Sequence, residues 1–243
     1  MTALESGNGW RLEIPSGPAG KYRLAQLDDY YPLNRRRFPY GVTGSLSLRC
    51  RVSAPSLPGT WGFGFWNDPF VVSFGIQGAP RRLPVLPNAA WFFHASGQNH
   101  LSFRDHLPGN GFLAQAFSSP KIPSVMLAPA LLAAPLLLSR QLSRWLRAAC
   151  GRVIGEDSTR LELDATAWHA YRLVWQPGNV EFSIDGTTVF ETRINPQGPL
   201  GLVIWIDNQF AAFTPDGRIG AGAQANPVPA WMEIMDLEIS PER

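Results

Sequence analysis

Few side chains in this 243-residue chain have both the type and the setting to do chemistry. His94 closes the run Ala89-Ala90-Trp91-Phe92-Phe93-His94, and an imidazole titrating near neutral pH suits a general acid or base. A histidine hydrogen-bonded inside the fold fits the same run. Asn67-Asp68-Pro69 follows the aromatic stretch Gly59 to Trp66. It reads as turn chemistry, or as the polar end of an aromatic groove with Asp68 as a second acid–base candidate. Asp207-Asn208 follows Val203-Ile204-Trp205-Ile206 and is either a further turn or the opposite wall of that groove. His100, Asp105 and His106 sit close together, but their spacing matches no metal-ligand motif, so a polar loop is expected.

Aromatic side chains surround these polar groups. The chain has nine Trp, most of which core packing explains. An indole also offers a broad apolar face with one donor, which suits a ligand-lining role. Trp61, Phe65, Trp91 and Trp205 are the candidates for that lining, with Asn67, Asp68, His94, Asp207 and Asn208 as polar contacts.

Strands must position these residues. Tyr171, Leu173 and Trp175 alternate with Arg172 and Val174, and Val180, Phe182 and Ile184 alternate with Glu181 and Ser183. Period-two runs broken by Gln176-Pro177-Gly178-Asn179 predict a hairpin, and Asp185-Gly186 predicts a second tight turn. Further strands are expected at Gly44–Val52, Gly59–Trp66, Ala89–His94, Gly111–Phe117, Leu200–Asn208 and Trp231–Ile239. Another should begin at Leu101–Phe103. Leu12, Ile14, Tyr22 and Leu24 are read as inward positions on early strands. Residues 77–88, with four prolines, read as a loop, as does the Gly/Ala/Pro-rich stretch through Pro229.

Three blocks together resemble the concanavalin A-like lectin/glucanase sandwich, as found in glycoside hydrolase family 16. They are Gly44–Arg49 followed by Gly59-Thr60-Trp61-Gly62-Phe63-Gly64-Phe65-Trp66; Trp168-His169-Ala170-Tyr171 through Gly186; and Met232-Glu233-Ile234-Met235-Asp236-Leu237-Glu238-Ile239. The match spans roughly residues 44–118 and 165–240. It implies an all-β, two-sheet antiparallel jelly-roll sandwich with an aromatic cleft on its concave sheet. Family hydrolases carry Glu-x-Asp-x-Glu or Glu-x-Asp-x-x-Glu on one concave strand, the first Glu as nucleophile and the last as acid/base. Retention needs two carboxyls about 5–5.5 Å apart. Here Ala89 falls at the nucleophile, Trp91 at the middle Asp and His94 at the acid/base. A methyl group cannot form a glycosyl–enzyme intermediate. The resemblance also implies a structural calcium on the convex face, with Asp236 as its side-chain ligand and backbone carbonyls as the rest.

Composition sets the outer bounds. The chain is 45% hydrophobic and 16% charged with 22 Pro and 23 Gly, which suits an all-β protein with long loops. A net charge of +2 is too small to imply a nucleic-acid partner. Residues 1–243 read as one domain. No basic start followed by an apolar core marks the N-terminus, so the chain as written is expected to be cytoplasmic; an exported mature form would look the same. With nothing marking export, Cys50 and Cys150 are expected as reduced thiols.

Residues 122–150 break the strand pattern as a helical, apolar insert. Val125 to Leu138 is apolar, shorter than a spanning helix and broken by two prolines. Leu138, Leu142, Trp145 and Ala149 then recur at helical spacing, with Arg140, Arg144 and Arg147 on the other face. The insert could pack on the sandwich as a lid, flank a ligand cleft, or rest on an anionic membrane surface through residues 123–149.

The leading expectation is a lectin-like sandwich that binds a glycan or an apolar small molecule, has lost hydrolase chemistry and requires no cofactor. One rival is a non-hydrolytic enzyme, an isomerase, cyclase or lyase, with His94 or Asp68 as acid/base. A second is a glycoside hydrolase with a non-standard catalytic site.

Overall fold

Apolar and polar side chains alternate along Gly44–Val52, and the burial of that strand alternates with them. The same rule builds the rest of the computed structural model, which describes residues 2–3, 9–69, 83–123 and 139–240. In chain order its strands are β1 (Thr2–Ala3), β2 (Gly9–Ile14), β3 (Leu24–Asp28), β4 (Gly44–Val52), β5 (Thr60–Trp66), β6 (Ala89–Ala95), β7 (Gly111–Ser118) and β8 (Gly155–Arg160). They continue as β9 (His169–Gln176), β10 (Asn179–Ile184), β11 (Thr187–Thr192), β12 (Gly201–Asp207), β13 (Gln209–Phe213), β14 (Ile219–Ala223) and β15 (Ala230–Ser240). Among the described residues, an α-helix, α1 (Arg140–Val153), stands between β7 and β8.

The long strands form two antiparallel sheets. One has seven strands in the order β1-β2-β15-β4-β9-β10-β11; the other has six, β3-β12-β5-β6-β7-β8. The main core lies between them. Trp61, Phe63, Phe65, Phe92 and Ile204 from the six-stranded sheet meet Leu46, Tyr171, Trp175, Phe182 and Ile234 from the seven-stranded sheet. Each such side chain contributes roughly 1.5–3 kcal/mol by leaving water.

The expected hairpins are present. Trp175 pairs with Val180 across Pro177-Gly178, and Gly178 takes φ 81. Asp185 and Gly186 take φ 50 and φ 80, the two positive values that a tight turn matched to strand twist requires.

Several expectations are corrected. Leu12 and Ile14 are buried, but Tyr22 and Leu24 are exposed, because Leu24 lies at the end of the edge strand β3. Residues 101–103 form no strand. The Gly/Ala-rich stretch after Asn208 is not all loop: it holds the β13–β14 hairpin. The apolar run Val125–Leu138 lies outside the described residues. The helix after it exists with Arg140 and Arg144 exposed and Leu142 and Ala149 half-buried as expected, but its buried face is turned toward Ser143 and Arg147. Ser143 and Arg147 point inward, and Trp145 is 64% exposed. Arg147 turns inward because carbonyl oxygens await it there: it donates to Ser102 O and Phe213 O, and to Asp105. Cys50 and Cys150 are both free. Cys50 belongs to the inter-sheet core, while Cys150 packs on the other side of the six-stranded sheet.

Candidate functional site

The six-stranded sheet has a second face, turned away from its partner sheet, where the resemblance puts the cleft. Period two decides which candidates reach it. Trp91 and Phe93 of β6, Trp205 of β12 and Trp66 at the end of β5 lie on this face. Trp61 and Phe65 do not. They alternate with Gly62, Gly64 and Trp66, so they point into the inter-sheet core. The sequence signal for this was present in the glycines. A Cβ at Gly62 would lie 2.4 Å from Phe92 O and 3.0 Å from Trp205, and one at Gly64 would lie 2.6 Å from Trp91 Cβ. Glycines at these alternate positions let two indoles lie flat across β5.

The resulting layer is densely aromatic. Trp66 stacks on Trp205 at 6.3 Å with planes 7° apart, and Trp91 lies 5.6 Å from Trp205. Trp91 and Trp205 are 5% and 8% exposed. Tyr30, Phe38 and Ile154 bury them, so they form a second hydrophobic core and not the floor of an open groove. Its edge is partly exposed at Trp66, Leu101 and Phe103.

Two polar chains border this layer. Trp205 Nε1 donates to Thr60 Oγ1, which donates to Asp207 Oδ1; that oxygen also accepts the backbone N–H groups of Thr60 and Gln209. Burial holds the Asp207 carboxyl up at about 6, against the lowering effect of these donors. On the other side, Trp91 Nε1 donates to Gln115 Oε1, and Gln115 Nε2 donates to Glu156 Oε1. Phe103 N donates to Glu156 Oε2. Burial raises the Glu156 carboxyl as well. Sequence reasoning missed Gln115 and Glu156. The available signal was a polar residue in mid-strand between Leu113 and Phe117.

The other candidates are placed elsewhere. His94 faces the inter-sheet side, stacked on Trp61 at 5.4 Å with planes 11° apart. Its Nδ1 has no hydrogen-bond partner among the described residues, and burial pushes its pKa down to about 4. Such a ring stays neutral at pH 7. Asn67 is a brace: it donates to Leu86 O and accepts from Asn88 N. Asp68 is buried with φ 50, and its carbonyl accepts from Arg35. Asn208 donates to Lys21 O and Gln224 O and accepts from Arg23 N, tying three chain segments together. The structure therefore brings Trp91, Trp205 and Asp207 to one face and puts Trp61, Phe65 and His94 on the other.

Glu156 and Asp207, the carboxylates of the two polar chains, are far apart. Glu156 pairs with Phe117, which pairs with Ala89; Asp207 pairs with Thr60, which pairs with Ala95. Those levels are separated by six residues along β6, about 20 Å, and by four strand spacings, about 19 Å.

An open cavity of about 900 Å³ lies beside this layer, between α1 and residues 103–106. Phe103 links the two. It lines the cavity and stands edge-on to Phe117 of the buried layer, 6.3 Å away. On the opposite side of the molecule, Asp236 takes φ 53 where the β15–β4 register shifts, and it lines a smaller cavity of about 470 Å³. Among the described residues no group of three or more His, Cys, Asp or Glu side chains is placed to hold a metal, and no helix is long and apolar enough to cross a membrane.

No family model matches the chain, and no curated protein matches it. Solved structures share its fold. The kappa-carrageenase from Pseudoalteromonas carrageenovora, in complex with an oligotetrasaccharide of kappa-carrageenan, gives a TM-score of 0.51 at 10% identity over 98% of this chain and 80% of that one. An endo-acting O-glycanase of the human gut microbiota gives 0.51 at 12% identity, over 99% and 82%. A glycoside hydrolase family protein from Mycobacterium thermorestibile gives 0.47 at 14% identity, over 96% and 76%. At these identities the two likenesses with a TM-score of 0.51 establish the fold alone. The chain is a two-sheet antiparallel jelly-roll sandwich of the concanavalin A-like kind, like those of glycoside hydrolase family 16.

Proposed function

We propose that this protein binds glycans without hydrolysing them by the retaining mechanism. The observation that carries the reading is the distribution of carboxylates. The strand aligned with the family's catalytic run reads Ala89-Ala90-Trp91-Phe92-Phe93-His94-Ala95 and holds none. Glu156 and Asp207 stand tens of ångströms apart by register, whereas retaining pairs need about 5–5.5 Å and inverting pairs about 6.5–9.5 Å. The fold itself is one in which the kappa-carrageenase was solved with an oligosaccharide, which favours a saccharide as ligand.

The contact region of this reading is the partly exposed edge of the aromatic layer and the cavity that adjoins it. Trp91 and Trp205 support the layer from beneath, Gln115 and Thr60 accept their indole N–H groups in hydrogen bonds, and Trp66 and Phe103 form the edge. An indole N–H of Trp66 is buried without a partner among the described residues, a donor that a sugar hydroxyl would satisfy. The acid–base role for His94 draws no support, because the ring lies in the inter-sheet layer with a depressed pKa.

A structural calcium at Asp236 does not fit on side chains alone. Calcium takes about six to eight oxygens. The cavity beside Asp236 is lined by three carboxylates and by the cations Arg49 and Arg172, so its charge is nearly balanced.

The test is binding against turnover. Calorimetry across a panel of neutral and charged oligosaccharides should find a bound class. Incubation with activated 2-fluoro glycosides should leave the intact mass of the protein unchanged. A trapped glycosyl–protein adduct would falsify the non-hydrolytic reading.

A further inference from the structure

We propose that the cavity between α1 and residues 103–106 binds an anionic saccharide, with sulfate or carboxylate groups held among Arg104, Arg144 and Arg152 and a sugar face against Trp145. The saccharide rests on the glycan-binding reading of the fold. The anion rests on the cavity's own charge.

Five arginines and one carboxylate, Asp105, line this cavity. Arg147 already engages Asp105 and two carbonyl oxygens. Arg104, Arg140, Arg144 and Arg152 have no carboxylate partner among the described residues. The whole chain carries only +2, so this is a local concentration of charge and not a general excess. Arg104 adds a sharper signal. Its Nε–H is buried and lacks an acceptor, a deficit that an anion would correct.

The helix is arranged at a cost to itself. Arg140, Arg144, Ala148 and Arg152 recur every fourth residue and form one stripe. Like charges at that spacing each destabilise an isolated helix by about 0.2–0.5 kcal/mol. Arg140 also stands in the first turn, where no acidic residue offsets the helix dipole. Beside this stripe the large indole of Trp145 is left 64% exposed. Unpaired guanidinium groups suit the fork geometry of sulfate and carboxylate, and a neighbouring indole offers the face on which a sugar ring packs. The concavity points to a discrete ligand and not to a bilayer, because a flat lipid surface cannot reach the buried Arg104 Nε–H.

The experiment is titration of the full chain with a sulfated oligosaccharide and its desulfated form, followed by Trp145 fluorescence and calorimetry. The sulfated form should bind, and the desulfated form should bind at least about tenfold more weakly. The double variant Arg144→Gln/Arg152→Gln should lose about tenfold or more in affinity, and Trp145→Ala should weaken binding independently of charge. Arg36→Gln/Arg37→Gln removes the same charge from an exposed turn that does not line the cavity and should leave affinity unchanged. Equal losses in both double variants, equal binding of the desulfated form, or preference for phosphatidylserine vesicles over the sulfated sugar would each overturn the proposal. Neutral glycans that still bind while the sulfated ligand ignores Arg144 and Arg152 would sink the cavity site alone. Inorganic sulfate held through those arginines, with no saccharide bound at all, would sink the glycan reading and the saccharide assignment with it.

Discussion

His94 and Asp207 are two titratable groups that burial drives in opposite directions. His94 is held at about 4, so the unfolded chain takes up its proton first as pH falls. Its contribution to stability is present above about 6.5 and is lost as pH falls toward about 4. Asp207 is held at about 6, above its unfolded value of 3.8. Its contribution is present below about 4 and is lost as pH rises through about 6. Each effect is about 3 kcal/mol, and between pH 4 and 6 they largely offset each other. Single variants should therefore unmask the other group. His94→Phe keeps a ring on Trp61 and should give a protein whose stability falls from pH 4 to 6, read by urea unfolding. Asp207→Asn keeps an acceptor for Thr60 and Gln209 and should steepen the loss of stability below pH 6. Profiles parallel to the wild type's in both variants would show that neither group titrates as its burial requires. Neither effect was legible in the sequence, because it depends on which face of a strand each residue occupies.

At the scale of elements, α1 is held by one inward arginine. Arg147 reaches two backbone carbonyls that no other side chain among the described residues satisfies, and Asp105, its carboxylate partner, is mostly exposed. Arg147→Met should cost on the order of 2–4 kcal/mol, mainly through the stranded carbonyls and the lost packing. Hydrogen exchange should show α1 losing protection before the sheets. The helix itself was legible from its periodicity. Its exact orientation was not, since the apolar stripe of Leu142, Trp145 and Ala149 suggested that Trp145 would be buried and Arg147 exposed. Hydrogen-bond acceptors on the 102–105 and 213 segments, distant in sequence, decided it. Strand β5 makes the complementary case. Gly62→Ala would put a methyl within contact of Phe92 O, a backbone atom that cannot retreat. That variant should lower Tm by several degrees and shift the fluorescence of the Trp91–Trp205 layer, and an unchanged Tm would mean that β5 and β6 separate more easily than their register implies.

For the whole molecule, the proposed binding role predicts that stability does not depend on a metal. Chelation by EDTA should leave Tm unchanged, since Asp236 stands among nearly balanced charges; a fall in Tm of several degrees, reversed by calcium, would assign a cation to that end of β15. The sequence alone determined the strands and their hairpins, because period-two alternation and turn residues such as Pro177-Gly178 and Asp185-Gly186 are local properties of the chain. It also determined that no carboxylate lies on the Ala89–Ala95 strand. Only the tertiary structure decided which aromatic residues line which layer. Trp61, Phe65, Trp91 and Trp205 are equivalent as indoles and phenyls in sequence; one step of strand register sends a side chain to the opposite face of a sheet. The tertiary structure likewise gathered Arg104 with the arginines of α1, because residues thirty-six or more positions apart meet only when the chain between them has folded back.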